Sequence, residues 1–293
     1  MTRILKIALA IALTALLGLG FAQQRGGTLT AAWAQNPVNL DPHKTSAYSS
    51  YQVLQQVLEN LVTFDADQNL IAGLATDWSV SNDGLTWTFN LREGVKFSNG
   101  RDFTAEDVVY TYDRMLDPET ASGNAWRLGA LEDVIAVDDY TVEMQLGAPN
   151  TGFLGKLASG SPVGIIARES VEDGTIATQP VGTGPFVITD YQPGTSVTLE
   201  RNEYYWGTDA NGEALPYLDR IDLQIITDES VRRSALVSGD VDWTISVPPQ
   251  SLEELEGRDD VVVDRSAAPA YWYIGVNTER EPLNDVRVRQ AIS

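Results

Sequence analysis

Side chains able to do covalent chemistry are scarce in this sequence. It has one histidine, His43, and no cysteine. A thiol nucleophile is therefore excluded, and any serine-histidine-acid relay would have to run through His43. No serine stands in the Gly-x-Ser-x-Gly turn that exposes a nucleophile above a sheet. Gly155-Lys156 lacks both the upstream glycine and the following Ser or Thr of a phosphate-cradling loop. In Gly182-Thr183-Gly184-Pro185 the proline blocks the helix start that would hold a pyrophosphate. Asp65, Asp67 and Asn69 have the spacing of three calcium-loop ligands. Leu70 replaces the required glycine, however, and Thr76 the required carboxylate, so the segment reads as a polar turn. With 41 acidic residues, carboxylate pairs arise from composition alone and none marks a glycosidase. His43, in a loop after Leu40-Asp41-Pro42, reads as structural. The expectation is a protein that transforms nothing and has no catalytic residue, no cofactor and no metal centre.

The elements that would position a binding site are easier to read. Gly27 to Trp33 is a first strand, ended by Asn36-Pro37. Ser50 is expected to cap a helix carrying Val53, Leu54, Val57, Leu58 and Leu61 at helical spacing. Behind the Asn82-Asp83-Gly84 turn, Leu85, Trp87, Phe89 and Leu91 alternate with Thr86, Thr88, Asn90 and Arg92. That is a strand with one buried face. Thr104 and Asp107 form a capping box for a helix with Val108, Val109, Tyr112, Met115 and Leu116 on its apolar face, stopped by Asp117-Pro118. Hairpins are predicted around Asp138-Asp139 and Gln192-Pro193-Gly194. Then the grammar changes to strand (221–226), helix (228–238, ended by Gly239) and strand (241–245), a β-α-β order that implies a crossover. Pro282-Leu283-Asn284-Asp285 reads as a helix start with the chain ending inside that helix.

Compartment and charge narrow the function. Arg3 and Lys6, an apolar run from Ile7 to Leu19, and Gly20-Phe21-Ala22 together read as a secretory signal peptide over residues 1–22, with cleavage after Ala22. The run is short for a membrane span, which needs about 20 apolar residues. Without cysteine there is no lipid attachment site, so the product is expected free in a periplasm-like space. Twenty basic against 41 acidic residues give −21, and loss of the leader's two basic residues makes that −23. Such a field repels phosphate backbones, which argues against nucleic-acid binding.

Several phrases then fall in a recognisable order. They are Leu40-Asp41-Pro42-His43, Gly73-Leu74-Ala75 with Trp78, Asp83 to Arg92, Lys96 to Gly100, and Thr104 to Tyr110. Val181-Gly182-Thr183-Gly184-Pro185-Phe186, Leu199-Glu200-Arg201-Asn202 with Tyr204-Tyr205-Trp206, Gly239-Asp240-Val241-Asp242 and Pro282 to Ala291 follow. From about Gly26 onward the chain resembles the family 5 bacterial extracellular solute-binding proteins, the oligopeptide, dipeptide and nickel-binding group. That resemblance implies a mixed α/β, periplasmic binding protein-like fold of two lobes with a β-rich insertion. Domain I would comprise 23–57 and 166–268, domain II 58–165, and 269–293 would begin a domain III whose lobe is largely missing.

The implied function is the extracytoplasmic binding component of an ABC importer. It would take a peptide or other small solute into an interdomain cleft and deliver it, as a monomer, to a membrane permease with its ATPase. Peptides lead, with oligosaccharides or metal chelates such as nickel as alternatives. A non-transport interaction or chaperone protein on the same fold is the reading from another class. Thr45, Ser46, Ala47 and Tyr48 match the segment that pairs with a ligand backbone, and Ser46 and Tyr48 differ in type from peptide-binding members. Asn124 stands where the family has an aromatic, with Trp126 nearby. Ile245, Ser246, Tyr271 and Trp272 complete the expected ligand-facing set.

Overall fold

The computed structural model describes residues 25–245, 247–265 and 275–292. The leader lies outside these residues, as do Ser246, Tyr271 and Trp272. The chain divides into two compact units at Val247/Pro248. In the first, chain order is β1 (Thr28–Trp33), α1 (Tyr48–Leu54), β2 (Val62–Phe64), β3 (Leu70–Ala72), β4 (Ala75–Val80), β5 (Thr86–Leu91) and α2 (Ala105–Leu116). Next come β6 (Leu131–Asp138), β7 (Thr141–Leu146), α3 (Phe153–Leu157), α4 (Arg168–Glu172), β8 (Phe186–Gln192) and β9 (Ser196–Arg201). The unit closes with β10 (Arg220–Ile225), α5 (Glu229–Ser238) and β11 (Trp243–Thr244). The second unit contains α6 (Pro249–Glu256) and α7 (Val286–Ile292). Asp285, whose carboxylate accepts the Arg287 amide at 2.9 Å, opens α7 after the Pro282 to Asp285 phrase.

One sheet has five strands in the order β11-β1-β10-β9-β8. β1 runs parallel to both β10 and β11, whereas β8, β9 and β10 pair antiparallel. The crossover read from 221–245 is therefore present, with α5 carrying the chain past β1. Asp228 caps α5 by accepting the Val231 amide, and Gly239 ends it at φ 80°, a left-handed geometry that glycine adopts without strain. A second sheet, β4-β5-β7-β6, is wholly antiparallel, and β2-β3 is a separate hairpin around the Asp65 turn. There Asp65 accepts the amides of Asp67 and Asn69, so the polar residues satisfy the turn itself.

Two hydrophobic cores result. One gathers Leu61, Phe89, Phe97, Phe103, Tyr112, Met115, Met144 and Phe153 around the four-stranded sheet and α2. The other gathers Ala31, Leu40, Val53, Leu54, Val57, Val197, Leu199 and Leu223 on the five-stranded sheet. α2 starts with the predicted capping box, and Val108, Tyr112 and Met115 bury its apolar face. In β5 the alternation holds at Phe89 and Leu91, which are buried beside exposed Asn90, but not at Leu85, Thr86, Trp87 and Thr88, all of which are half-buried. Trp87 is half-buried against the same core, its ring 5.9 Å from that of Phe153.

Three further expectations need correction. Ser50 does not cap α1, which begins at Tyr48 with Ala47 as a cap lacking any side-chain bond. Ser50 is buried within the helix and its Oγ accepts the Val38 amide, while Ser49 Oγ donates to the Asn36 carbonyl. Both hydroxyls are spent holding the preceding turn. Second, α1 ends at Leu54, although Val57, Leu58 and Leu61 are buried as expected. Third, β11 has two residues where five were expected, and pairs only at Ala31↔Trp243 and Ala32↔Thr244.

Candidate functional site

The loop from Asp41 to Ala47 is built before it can bind anything. Arg114, in the last turn of α2, grips the Asp41 carboxylate with two bonds of 2.7 and 3.0 Å, and both side chains are nearly buried. The same guanidinium lies 2.7 Å from Nδ1 of His43, which must then act as acceptor. His43 is fully buried, and its Nε2 has no partner among the described residues. Burial, reinforced by the Arg114 charge, pushes the His43 pKa down to about 3 despite the opposing Asp41. Burial alone would raise the pKa of Asp41, but pairing with Arg114 outweighs it and holds the carboxyl below its usual range. The imidazole is thus neutral at physiological pH and is tied into the loop through Arg114.

Asn124 staples the loop from its other side. Its Nδ2 donates to the carbonyls of Pro42 and Thr45 at 2.9 and 2.7 Å, and its Oδ1 accepts from Tyr51 OH and Arg127 Nε. Asn124 is 2% exposed, so its amide is fully engaged inside the protein. Thr45 is buried too, its Oγ1 accepting the Ala47 amide. Ser46, between them, is exposed. Neither its N–H nor its C=O is hydrogen-bonded among the described residues. Tyr48 and Trp126 flank this stretch and are 66% and 68% exposed. The Arg127 guanidinium sits 4.8 Å from the Trp126 ring and 5.9 Å from that of Tyr51.

Thr45, Ser46, Ala47, Tyr48, Asn124 and Trp126 are therefore brought together. Ile245 lies beyond β11 and is half-buried. Near it, the rings of Trp33 and Trp243 are 5.7 Å apart, and both line an apolar cavity of about 210 Å³ with Gln52, Gln56 and Leu223. A second, more polar cavity of about 340 Å³ borders Glu59, Asn60, Gly73 and Tyr205. Glu59 accepts from Trp206 Nε1 and Thr183 Oγ1, both at 2.8 Å, and from Tyr205 OH at 3.4 Å. Burial pushes the Glu59 carboxyl pKa up, and these bonds only partly oppose it. Here the glycines of the Val181 to Phe186 phrase find their reason. A Cβ on Gly182 would lie 2.1 Å from the Val57 carbonyl oxygen, and one on Gly184 2.6 Å from the Val57 carbonyl carbon. The phrase is a close backbone crossing rather than a phosphate loop.

Among the described residues no group of three or more His, Asp or Glu side chains could hold a metal, and no helix is long and apolar enough to cross a membrane. The family model for bacterial extracellular solute-binding proteins, family 5, matches residues 69–293. The chain belongs to that family.

Among the curated members, the oligopeptide-binding protein OppA of Bacillus subtilis is 32% identical over 91% of this chain and 52% of its own length. The nickel-binding periplasmic protein of Escherichia coli is 31% identical over 90% of this chain and 51% of its own. The solved structure of DppA from Helicobacter pylori, an ABC transporter-associated periplasmic binding protein in complex with the peptide STSA, has a TM-score of 0.79. It is 28% identical over 92% of this chain and 56% of that one. The chain thus has the mixed α/β fold of the family's periplasmic binding proteins, and spans about half the length of the curated relatives it matches. Reading by residue type missed Arg114 and Arg127. Arg114 is 73 positions from Asp41, and no spacing rule connects them. Arg127 follows Trp126 directly, and only that Trp-Arg pair hinted at a stacked cation.

Proposed function

We propose that this chain captures peptides outside the cytoplasmic membrane for an ABC importer, handing them to a permease driven by its ATPase. The observation that carries the reading is the main chain of Ser46, exposed and without a hydrogen bond among the described residues, between buried Thr45 and half-buried Ala47, which bond each other. An extended peptide needs such groups, because pairing through the backbone gives affinity without dependence on side-chain identity. The loop is pre-organised by Arg114 and Asn124, so little ordering entropy is spent on binding. Tyr48 and Trp126 offer apolar faces to side chains of varied kind. Domain I, in this proposal, carries the loop on the five-stranded sheet, and domain II contributes Trp126. Ile245, Ser246, Tyr271 and Trp272 are proposed to complete the ligand-facing wall.

Native mass spectrometry of the complete gene product, purified from its periplasm-like compartment without refolding, tests the proposal. The expected result is a protein carrying peptides of varied sequence and restricted length. Retention of a sugar, or of a metal chelate without a peptide backbone, would refute the peptide reading. It would favour instead the exposed Tyr48 and Trp126 rings as a platform for another solute.

A further inference from the structure

The chain is rich in acids, with 41 against 20 basic residues, so a cation that lacks an acidic partner is not short of candidates. Arg101, Arg114, Arg201 and Arg220 each pair with a carboxylate. Arg127 makes no ion pair among the described residues, although it is half-buried. Its Nε donates to Asn124 Oδ1 at 3.2 Å, and its guanidinium carbon lies 4.8 Å from the Trp126 ring centroid and 5.9 Å from that of Tyr51. Its two terminal nitrogens have no acceptor among the described residues, and neither is sealed from solvent. Asn124 in turn bonds the Thr45 carbonyl, so the fork is fixed relative to the backbone of Ser46.

An arginine immobilised at Nε and stacked on aromatic rings presents its remaining donors in the planar geometry that a carboxylate matches. Its ordering entropy is spent before ligand arrives, and partial burial strengthens the contact relative to open water. We infer that Arg127 is the anion-recognising residue of this site, taking a carboxylate of the solute in a two-bond contact. The inference rests on the proposed peptide-binding role and adds a ligand class to it, namely solutes that place an acidic group beside the Ser46 backbone. A side-chain carboxylate and a terminal one offer the same chemistry, and either fits.

The test uses the complete gene product and two forms of one probe, a tryptic casein digest and the same digest with every carboxyl converted to a methylamide. Retention of each is measured by equilibrium dialysis and mass spectrometry for the wild type, Arg127→Gln and Arg127→Lys. The wild type is expected to prefer the unblocked digest, and Arg127→Gln to lower that preference at least about tenfold. Arg127→Lys, which keeps the charge but loses the fork, should fall between. A merely structural role would weaken retention of both digests alike and leave the preference unchanged, which would overturn the inference while sparing the peptide reading. Retention of neither digest by the wild type would overturn the peptide reading, and this inference with it.

Discussion

Arg114→Met isolates the contact that fixes the loop from Asp41 to Ala47. The methionine keeps most of the apolar stem but removes the guanidinium, leaving Asp41, 3% exposed, with the His43 amide at 3.1 Å as the remaining donor to its carboxylate. A buried ion pair broken on one side costs about 3–5 kcal/mol, because the surviving charge keeps its desolvation penalty without its attraction. Both bonds here are short and both side chains nearly enclosed, which places the expected loss within that range at pH 7. The pH dependence follows from sign. Without Arg114 the folded-state pKa of Asp41 rises above its unfolded value. Such a group contributes stability below its unfolded pKa and loses it as pH rises through the folded one. His43 would also lose the positive neighbour that helps to depress its pKa. Both shifts make the variant's deficit smaller at pH 4.5 than at pH 7. Urea unfolding of the complete gene product, followed by tryptophan fluorescence at both pH values, reads this directly. A loss below about 1 kcal/mol at pH 7, or a deficit that grows on acidification, would refute the reasoning.

Other substitutions test neighbouring parts. Trp87→Ala should cost about 3 kcal/mol in urea unfolding by opening a cavity beside Phe153. Trp87→Phe should cost far less, because the Trp87 Nε1 is buried with no partner among the described residues and its removal relieves an unmet hydrogen bond. Equal losses would show that the indole N–H is satisfied. His43 lowers stability as pH falls from about 6.5 to about 3, by up to roughly 1.4 kcal/mol per unit, since only the unfolded chain takes up its proton in that window. His43→Asn should therefore show a shallower acid decline than the wild type, and an unchanged profile would count against a buried neutral imidazole. Gly184→Ala should lower the melting temperature by several degrees, because its Cβ would press on the Val57 backbone. An unchanged melting temperature would mean that the crossing is looser than its geometry indicates.

Whatever is local in this fold could be read from the sequence. The Thr104/Asp107 box, the Asp228 cap with its Gly239 stop, and the hairpin at Gly194 each depend on residues a few positions apart. The misreadings have tertiary causes. The Ser50 hydroxyl goes to an amide 12 residues away, and β11 shortens because only two of its residues meet β1. For the candidate site the sequence reading named the Thr45 to Tyr48 segment, Asn124 and Trp126. The contacts that fix the segment were not legible, since the Asp41–Arg114 and Asn124–Thr45 bonds span 73 and 79 positions.

The phrases that carry the family resemblance divide unevenly between frame and site. Leu40, Asp41 and His43 are buried. Gly182 and Gly184 press on Val57, Asn202 donates to the Gly184 carbonyl, and Thr183, Tyr205 and Trp206 surround Glu59. All are fixed by contacts inside the protein, so each tolerates little change. The exposed residues at the loop, Ser46, Tyr48 and Trp126, fall outside those phrases, and Arg127 does too. The side chains of Ser46, Tyr48 and Trp126 are exposed, so core packing asks little of them. The phrases that reveal the family therefore mark the scaffold, and in the proposed function the solute is read at residues on which the scaffold imposes least. Relatives named for oligopeptides and for nickel match this chain at 32% and 31% identity, nearly the same level, so identity alone singles out no ligand. The proposal for the ligand of this chain is therefore argued from Ser46 and Arg127 rather than from the motifs that reveal its family.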